Sequence, residues 1–188
     1  MPTDATAPSV AEVANEGVPT SPRLTFRRMC EGDLDDIARL LGDPVVMAHY
    51  PRPRSRDEAL AWIRWNEANY ARDGFGLWIL HDAEGHFVGD CGLTWQVVDD
   101  EEHLELGYHV VPDRQGEGLA SEAATACRDL ARARGIDHLI AIIGPDNLPS
   151  QRVAVHVGMT LRPGTTVKSG VPVVVFGMRL GSLPVAEA

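Results

Sequence analysis

The stretch Leu104-Glu105-Leu106-Gly107-Tyr108-His109-Val110-Val111-Pro112-Asp113-Arg114-Gln115-Gly116-Glu117-Gly118-Leu119-Ala120 organises the rest of the chain around itself. Its first half reads as a strand, stopped by Pro112. Ala120, Ala123, Ala124, Cys127, Leu130 and Ala131 then recur at helical spacing until Gly135, a small-residue face that docks closely on a sheet. Asp137–Ile143 follows as a nearly continuous apolar run of strand length. Strand, glycine loop, helix and strand in that order make a crossover whose two strands run parallel. Glycines two apart let backbone N–H groups point into one concavity, and the helix start adds the positive end of its dipole. Such a loop binds phosphate.

N-terminal to this unit, Leu24–Met29 suggests a first strand, and Asp33 offers its carboxylate as N-cap to a short helix carrying Leu34, Ile37, Leu40 and Leu41. Ser55 followed by Glu58 is a capping box that starts a second helix over about 56–72, with Leu60, Ile63, Glu67 and Tyr70 on one face. Phe75–Leu80, the turn Asp82–Gly85 and His86–Trp95 read as a hairpin, and the acidic loop Asp99–Glu102 leads into the strand His103–Val111. On the C-terminal side, Ser150–Val157 predicts a short helix stopped by Gly158, and Met159–Arg162 and Val171–Leu180 two strands around the turn Gly164–Gly170. The fold class is a mixed α+β sheet of about seven strands, mostly antiparallel, with four helices. Residues 1–21 lack aromatic residues and any sustained period, predicting a mobile tail; 22–182 form a single domain and 183–188 a C-terminal tail.

The 188 residues carry 17 Lys and Arg against 27 Asp and Glu, a net charge of −10 that disfavours nucleic-acid partners. No apolar stretch reaches the roughly 20 residues of a membrane span, and no basic, apolar leader opens the chain, so no membrane partner and a cytoplasmic location are expected. Cys30, Cys91 and Cys127 are widely spaced and read as buried free thiols. His49, His81, His86 and His103 lack metal-ligand spacing, and no metal is predicted.

Three phosphate loops compete for Gly116 and Gly118. A P-loop needs a lysine after its second glycine, and none follows. A dinucleotide fingerprint puts its third glycine at Ser121 and belongs near the first strand of a parallel array, whereas this loop follows an antiparallel meander. The third is a coenzyme A pyrophosphate loop. Gln115-Gly116-Glu117-Gly118-Leu119-Ala120 resembles the [QR]xxGx[GA] signature of the GNAT N-acetyltransferase superfamily. Asp43–Met47, Gly74–Trp78, Glu105–Tyr108 and Pro145–Ser150 resemble, in the same order, its ribosomal-protein N-terminal acetyltransferase branch.

The resemblance implies the GNAT fold, with splayed central parallel strands. It implies acetyl-coenzyme A as donor and a primary amine as acceptor, either a peptide N-terminus or a small molecule, joined by direct attack in a ternary complex. Arg114, Gln115, Gly116, Glu117, Gly118, Leu119, Ala120 and Ser121 would cradle the pyrophosphate, and the backbone of His109, Val110 and Val111 would pair with the pantetheine arm. The Val110 amide is a candidate for steadying the oxyanion. Glu105 sits where related enzymes place a carboxylate base, and it also reads as a solvent-facing strand residue. Ser150 matches a position that serves the leaving thiol and also reads as an N-cap; Asn147 reads as a pantetheine or acceptor contact, or as a turn former. Tyr108 is an alternative acid or a buried strand tyrosine, and the helix 150–157 lacks the tyrosine acid of many relatives, leaving His156 as its only titratable group besides Arg152. His49, Tyr50, Trp62, Trp65, Trp78 and Trp95 are candidates for the acceptor pocket, and net negative charge suits a cationic amine. The family is compatible with a homodimer. A non-catalytic coenzyme-binding protein on the same fold and a nicotinamide-dependent enzyme are the alternatives.

Overall fold

The computed structural model describes residues 17–164, 166–168 and 170–181. The strands are β1 (Thr25–Arg28), β2 (Leu77–His81), β3 (Phe87–Val98), β4 (Glu101–Val110), β5 (His138–Ile143), β6 (Thr160–Leu161), β7 (Thr166–Lys168) and β8 (Val171–Arg179). The α-helices are α1 (Leu34–Gly42), α2 (Arg56–Asp73), α3 (Leu119–Ala133) and α4 (Leu148–His156). They build an open sheet in the order β1-β2-β3-β4-β5-β8-β6, with β7 paired to β8 alone. Every neighbouring pair is antiparallel except β4 and β5. The expected mixed α+β architecture with four helices is the observed one. The additional strand, β7, lies inside the segment expected to be a plain turn.

Trp78, Ile79 and Leu80 on β2, Leu93 on β3 and the α3 face Ala123, Ala124, Cys127 and Ala131 are fully enclosed. The small α3 residues bring the helix close against β3 and β4, which fixes the glycine loop at its N-terminus over the sheet. The Ser55–Glu58 capping box starts α2, with Ser55 Oγ accepting from the Glu58 N–H at 3.3 Å and Glu58 Oε2 accepting from the Ser55 N–H at 2.8 Å.

Several local expectations are corrected. α2 buries Ala59, Ile63, Asn66, Asn69 and Tyr70, so Ile63 and Tyr70 lie inside as expected while Leu60 and Glu67 are only half-buried. Asn66 is enclosed because its Oδ1 accepts from the Leu77 N–H at 2.8 Å at the entry to β2, and its Nδ2 donates to the Trp62 carbonyl at 3.0 Å. Asp33 stands at the N-cap position of α1, but its carboxylate makes no capping bond: it accepts from the Cys30 N–H at 2.8 Å and pairs with Arg27, tying down the 3-10 turn Glu31–Asp33 instead. Asp99 and Asp100, both at positive φ, close β3 onto β4 as a two-residue turn, so no four-residue loop exists there. Cys30 is exposed, whereas Cys91 and Cys127 are buried free thiols with Sγ atoms 3.6 Å apart.

Most of the expected N-terminal tail, residues 1–16, and the expected C-terminal tail, 183–188, lie outside the described residues. Residues 17–21 do not match a free tail. Val18 packs on the core and the Gly17 carbonyl accepts from Arg134 Nη2 at 3.0 Å.

Candidate active site

β4 and β5 share one register pair, Glu105 with Ile140, and a cavity of about 1160 Å³ opens where they part. Its walls come from both strands, the 45–54 loop, the glycine loop, α4 and the β7–β8 hairpin. The Val111 N–H donates to the Val88 carbonyl at 3.0 Å, which sets the alternation of the β3–β4 ladder. Glu105, Gly107 and His109 therefore exchange backbone bonds with β3, while the amides of Tyr108 and Val110 turn toward the fork. Of the backbone expected to receive a pantetheine arm, Val110 faces the cavity, and Val111 is already paired and stands outside the wall.

The glycine loop enters the cavity through Arg114, Gln115, Gly116, Gly118, Ala120 and Ser121, with Leu119 at its base. Gly116 and Gly118 take φ of 82° and 80°, left-handed values that a side chain would strain, and Gly118 is the N-cap of α3. Gln115 Nε2 donates to the Val110 carbonyl at 3.0 Å, locking the loop to the strand end. Arg114 Nη1 donates to Asp82 Oδ2 at 2.6 Å and its Nε lies 3.2 Å from Glu117 Oε2, so the expected pyrophosphate cation is held by two carboxylates. Glu117 itself points away from the cavity wall. The Arg114 hydrogen bond holds the Asp82 pKa down at about 2, helped by the His86 N–H. Arg23, absent from the sequence-based candidates, donates from Nη1 to the Glu117 carbonyl at 3.1 Å and from Nε to Glu122 Oε2 at 2.6 Å, bracing the loop from outside.

Glu105 is half-buried on the cavity wall, not a solvent-facing strand residue. Burial raises its pKa, opposed by the Lys168 charge, the Ile142 amide and His109. Lys168 reaches over from β7 and donates to Gln96 Oε1 at 2.5 Å. Asn147, Ser150 and Tyr108 meet at the start of α4. The N-cap is Asn147, whose Oδ1 accepts from the Ser150 N–H at 3.1 Å, so Ser150 is not the cap. Ser150 Oγ donates to the Tyr108 hydroxyl at 3.0 Å, and that hydroxyl donates to the Ser150 carbonyl at 2.8 Å. Burial pushes the Tyr108 phenol further up from its ordinary value.

The structure adds a constellation that sequence reasoning missed. His109 entered the sequence reading for its backbone, yet its side chain joins two distant residues. Nδ1 lies 2.8 Å from Oδ1 of the fully buried Asp90, and Nε2 lies 2.8 Å from the Tyr50 hydroxyl. Asp90 Oδ2 has no hydrogen-bond partner among the described residues. Burial opposes charge on the imidazole, but Tyr50 and Asp90 on either side outweigh it and raise the His109 pKa well above the ordinary histidine value. The available signal was the alternation Glu105-x-Gly107-x-His109, which puts two ionisable side chains on one sheet face.

Of the aromatic candidates, His49, Tyr50, Trp62 and Trp65 line the cavity with Arg152 and His156, whereas Trp78 is sealed in the core and Trp95 packs against it. Asp82, Glu84 and His86 bring potential ligand atoms within 4.8 Å of one another, but Asp82 is taken up by Arg114 and by the amides of Glu84 and His86. Among the described residues no helix is long and apolar enough to cross a membrane.

Residues 23–160 match the acetyltransferase (GNAT) domain family. The chain is 34% identical over 139 residues to the uncharacterized protein YkkB of Bacillus subtilis (strain 168), covering 71% of this chain and 81% of that one. An acetyltransferase from Agrobacterium tumefaciens superposes with a TM-score of 0.74 at 25% identity, covering 85% of this chain and 92% of that one. RimL, a ribosomal L7/L12 alpha-N-protein acetyltransferase in complex with coenzyme A, superposes at 0.69 with 18% identity, covering 86% of this chain and 97% of that one.

Proposed function

Because the chain belongs to the acetyltransferase (GNAT) domain family, we propose that it moves an acetyl group from acetyl-coenzyme A to a primary amine by direct attack in a ternary complex. The observation that carries this reading is the fork between β4 and β5, with a phosphate-type glycine loop at one end and a half-buried carboxylate, Glu105, on its wall. The amides of Gly116 to Ser121 and the N-terminus of α3 would hold the pyrophosphate. The unpaired edge of β4 at Tyr108 and Val110 would receive the pantetheine arm, and the Val110 amide would stabilise the oxyanion as the amine attacks the thioester carbonyl. Glu105 would take the proton that leaves nitrogen, its raised pKa bringing it nearer to the amine's. Asn147, Ser150 and Tyr108 would shape the opposite wall beside the sulfur.

The acceptor is held between the 45–54 loop, α2 and the β7–β8 hairpin, where Tyr50, Trp62, Trp65 and Lys168 stand. The likeness to RimL makes a peptide N-terminus one acceptor class, and a small-molecule amine is the other. With a net charge of −10 and free buried thiols, we place the enzyme in the cytoplasm, without a nucleic-acid partner.

Thiol release from acetyl-coenzyme A across a panel of amines tests the reading. Turnover with at least one amine is the expected result. Thermal stabilisation by coenzyme A without turnover on any amine would make the protein a non-catalytic binder. Tighter binding of NAD than of coenzyme A would replace the donor assignment.

A further inference from the structure

Acetyl transfer needs a proton for the departing sulfur, and the expected donors have none to spare. The Ser150 hydroxyl gives its proton to Tyr108, and the Tyr108 hydroxyl gives its own to the Ser150 carbonyl. Another hydroxyl on the cavity wall is differently placed. Tyr50 is 42% exposed, lines the same cavity, and rests its oxygen 2.8 Å from His109 Nε2.

Asp90 determines what that contact is. A carboxylate with no exposed surface and one unpartnered oxygen needs a cation, and the imidazole 2.8 Å away is its only charged contact among the described residues. A doubly protonated His109 donates through Nδ1 to Asp90 and through Nε2 to the Tyr50 oxygen. That oxygen then accepts from His109, and its own hydrogen is directed away from the ring. The groups facing His109 are Asp90 from β3, Tyr50 from the 45–54 loop, the edge-on Trp62 ring of α2 at 6.5 Å, and Glu105 along β4, with Arg54 stacked over Trp62.

We propose that Asp90, His109 and Tyr50 form a proton relay in which Tyr50 protonates the leaving coenzyme A sulfur. The inference rests on the acetyl-transfer reading above. The amine nitrogen bonds to the carbonyl carbon and passes its proton to Glu105. When the tetrahedral adduct collapses, the carbon–sulfur bond breaks with its electron pair going to sulfur. Sulfur takes the Tyr50 proton while the His109 Nε2 proton moves to the Tyr50 oxygen, leaving a neutral imidazole still donating to Asp90. Glu105 returns its proton to solvent and His109 regains one, so the cycle closes on amide and free thiol. Tyr50 is the catalytic member; His109 and Asp90 act through it. The buried Asp90 carboxylate against Nδ1 favours a ring that waits with its proton on.

The test uses the full chain, acetyl-coenzyme A and an amine that it acetylates. Tyr50→Phe is expected to lower kcat about 100-fold while leaving the KM for acetyl-coenzyme A within about twofold. In the wild type, kcat should fall at alkaline pH as His109 loses its proton, and His109→Gln should abolish that limb. Nitrogen NMR of the imidazole in the coenzyme A complex should show both ring nitrogens protonated near neutral pH, a readout that needs no turnover. Tyr50→Phe with a kcat near that of the wild type, or a neutral His109 ring, overturns the relay. A protein that binds coenzyme A but acetylates no amine refutes the transfer reading instead, and the ring's protonation then decides whether the Asp90–His109–Tyr50 donor exists.

Discussion

The Tyr108 hydroxyl and Ser150 exchange two hydrogen bonds, one from each hydroxyl, that pin the start of α4 to β4 across the fork. Tyr108→Phe leaves both the Ser150 hydroxyl and its carbonyl without that partner. We expect a loss of about 1–3 kcal/mol in stability, measured by urea unfolding. Ser150→Ala keeps the carbonyl bond and should cost about 1 kcal/mol, with most turnover retained. A collapse of kcat in Ser150→Ala at unchanged stability would restore the serine as the group serving the thiol.

Gly118→Asp places a side chain at a φ of 80° and a negative charge at the N-terminus of α3. Coenzyme A binding, followed by calorimetry, should disappear while the far-UV circular dichroism stays that of the wild type. Unchanged affinity would remove the loop from pyrophosphate binding.

Glu105→Gln is nearly isosteric and keeps the fork intact. Turnover should fall about 100-fold with coenzyme A affinity preserved. Because burial raises the Glu105 pKa, the acidic limb of the wild-type kcat/KM profile should lie above the ordinary carboxylate range, and the variant should lack it. Wild-type rates across pH in the variant would take Glu105 out of the base role.

Asp82 has its pKa depressed to about 2 by Arg114 and the His86 amide. A depressed carboxylate stabilises the fold above its unfolded pKa, near 4, and loses that contribution as pH falls toward 2. Asp82→Asn should therefore be less stable than the wild type near neutral pH, and the gap should close on acidification through that window. Urea midpoints measured for both proteins across the range check the sign. A gap that is constant with pH would mean the carboxylate charge contributes nothing.

The crossover around the glycine loop was legible because each part is local: alternation for β4, glycine spacing for the loop, small residues at helical spacing for α3. The capping box at Ser55 and Glu58 was legible for the same reason. The start of α4 was not, since Asn147 and Ser150 are both cap-forming residues. Pro149, at the second helical position, lets the helix begin ahead of the serine, where a proline lacking an N–H does no harm. β7 was hidden because glycines at 164 and 170 frame it as a turn, and pairing with β8 is a tertiary choice. The Asp90–His109–Tyr50 constellation was invisible because it depends on the β3–β4 register, which sets Asp90 opposite His109, and on a loop that returns over the sheet from residue 50. Glu105 lay within reach of sequence because its neighbours carry a family motif. Its burial depends on what Lys168 and the β7–β8 hairpin lay over it.

Among the described residues, Glu105 and Ile140 are the one backbone register pair between the two central strands of the sheet. Beyond that pair the two strands are held through side chains and through the Tyr108–Ser150 bonds to α4, without a backbone ladder, so the border of β4 stays open. A substrate arm laid along the free border of β4 would act as an added crosspiece. Seating the donor and bridging the two strands would then be one event, and letting the spent thiol go would reopen that seam.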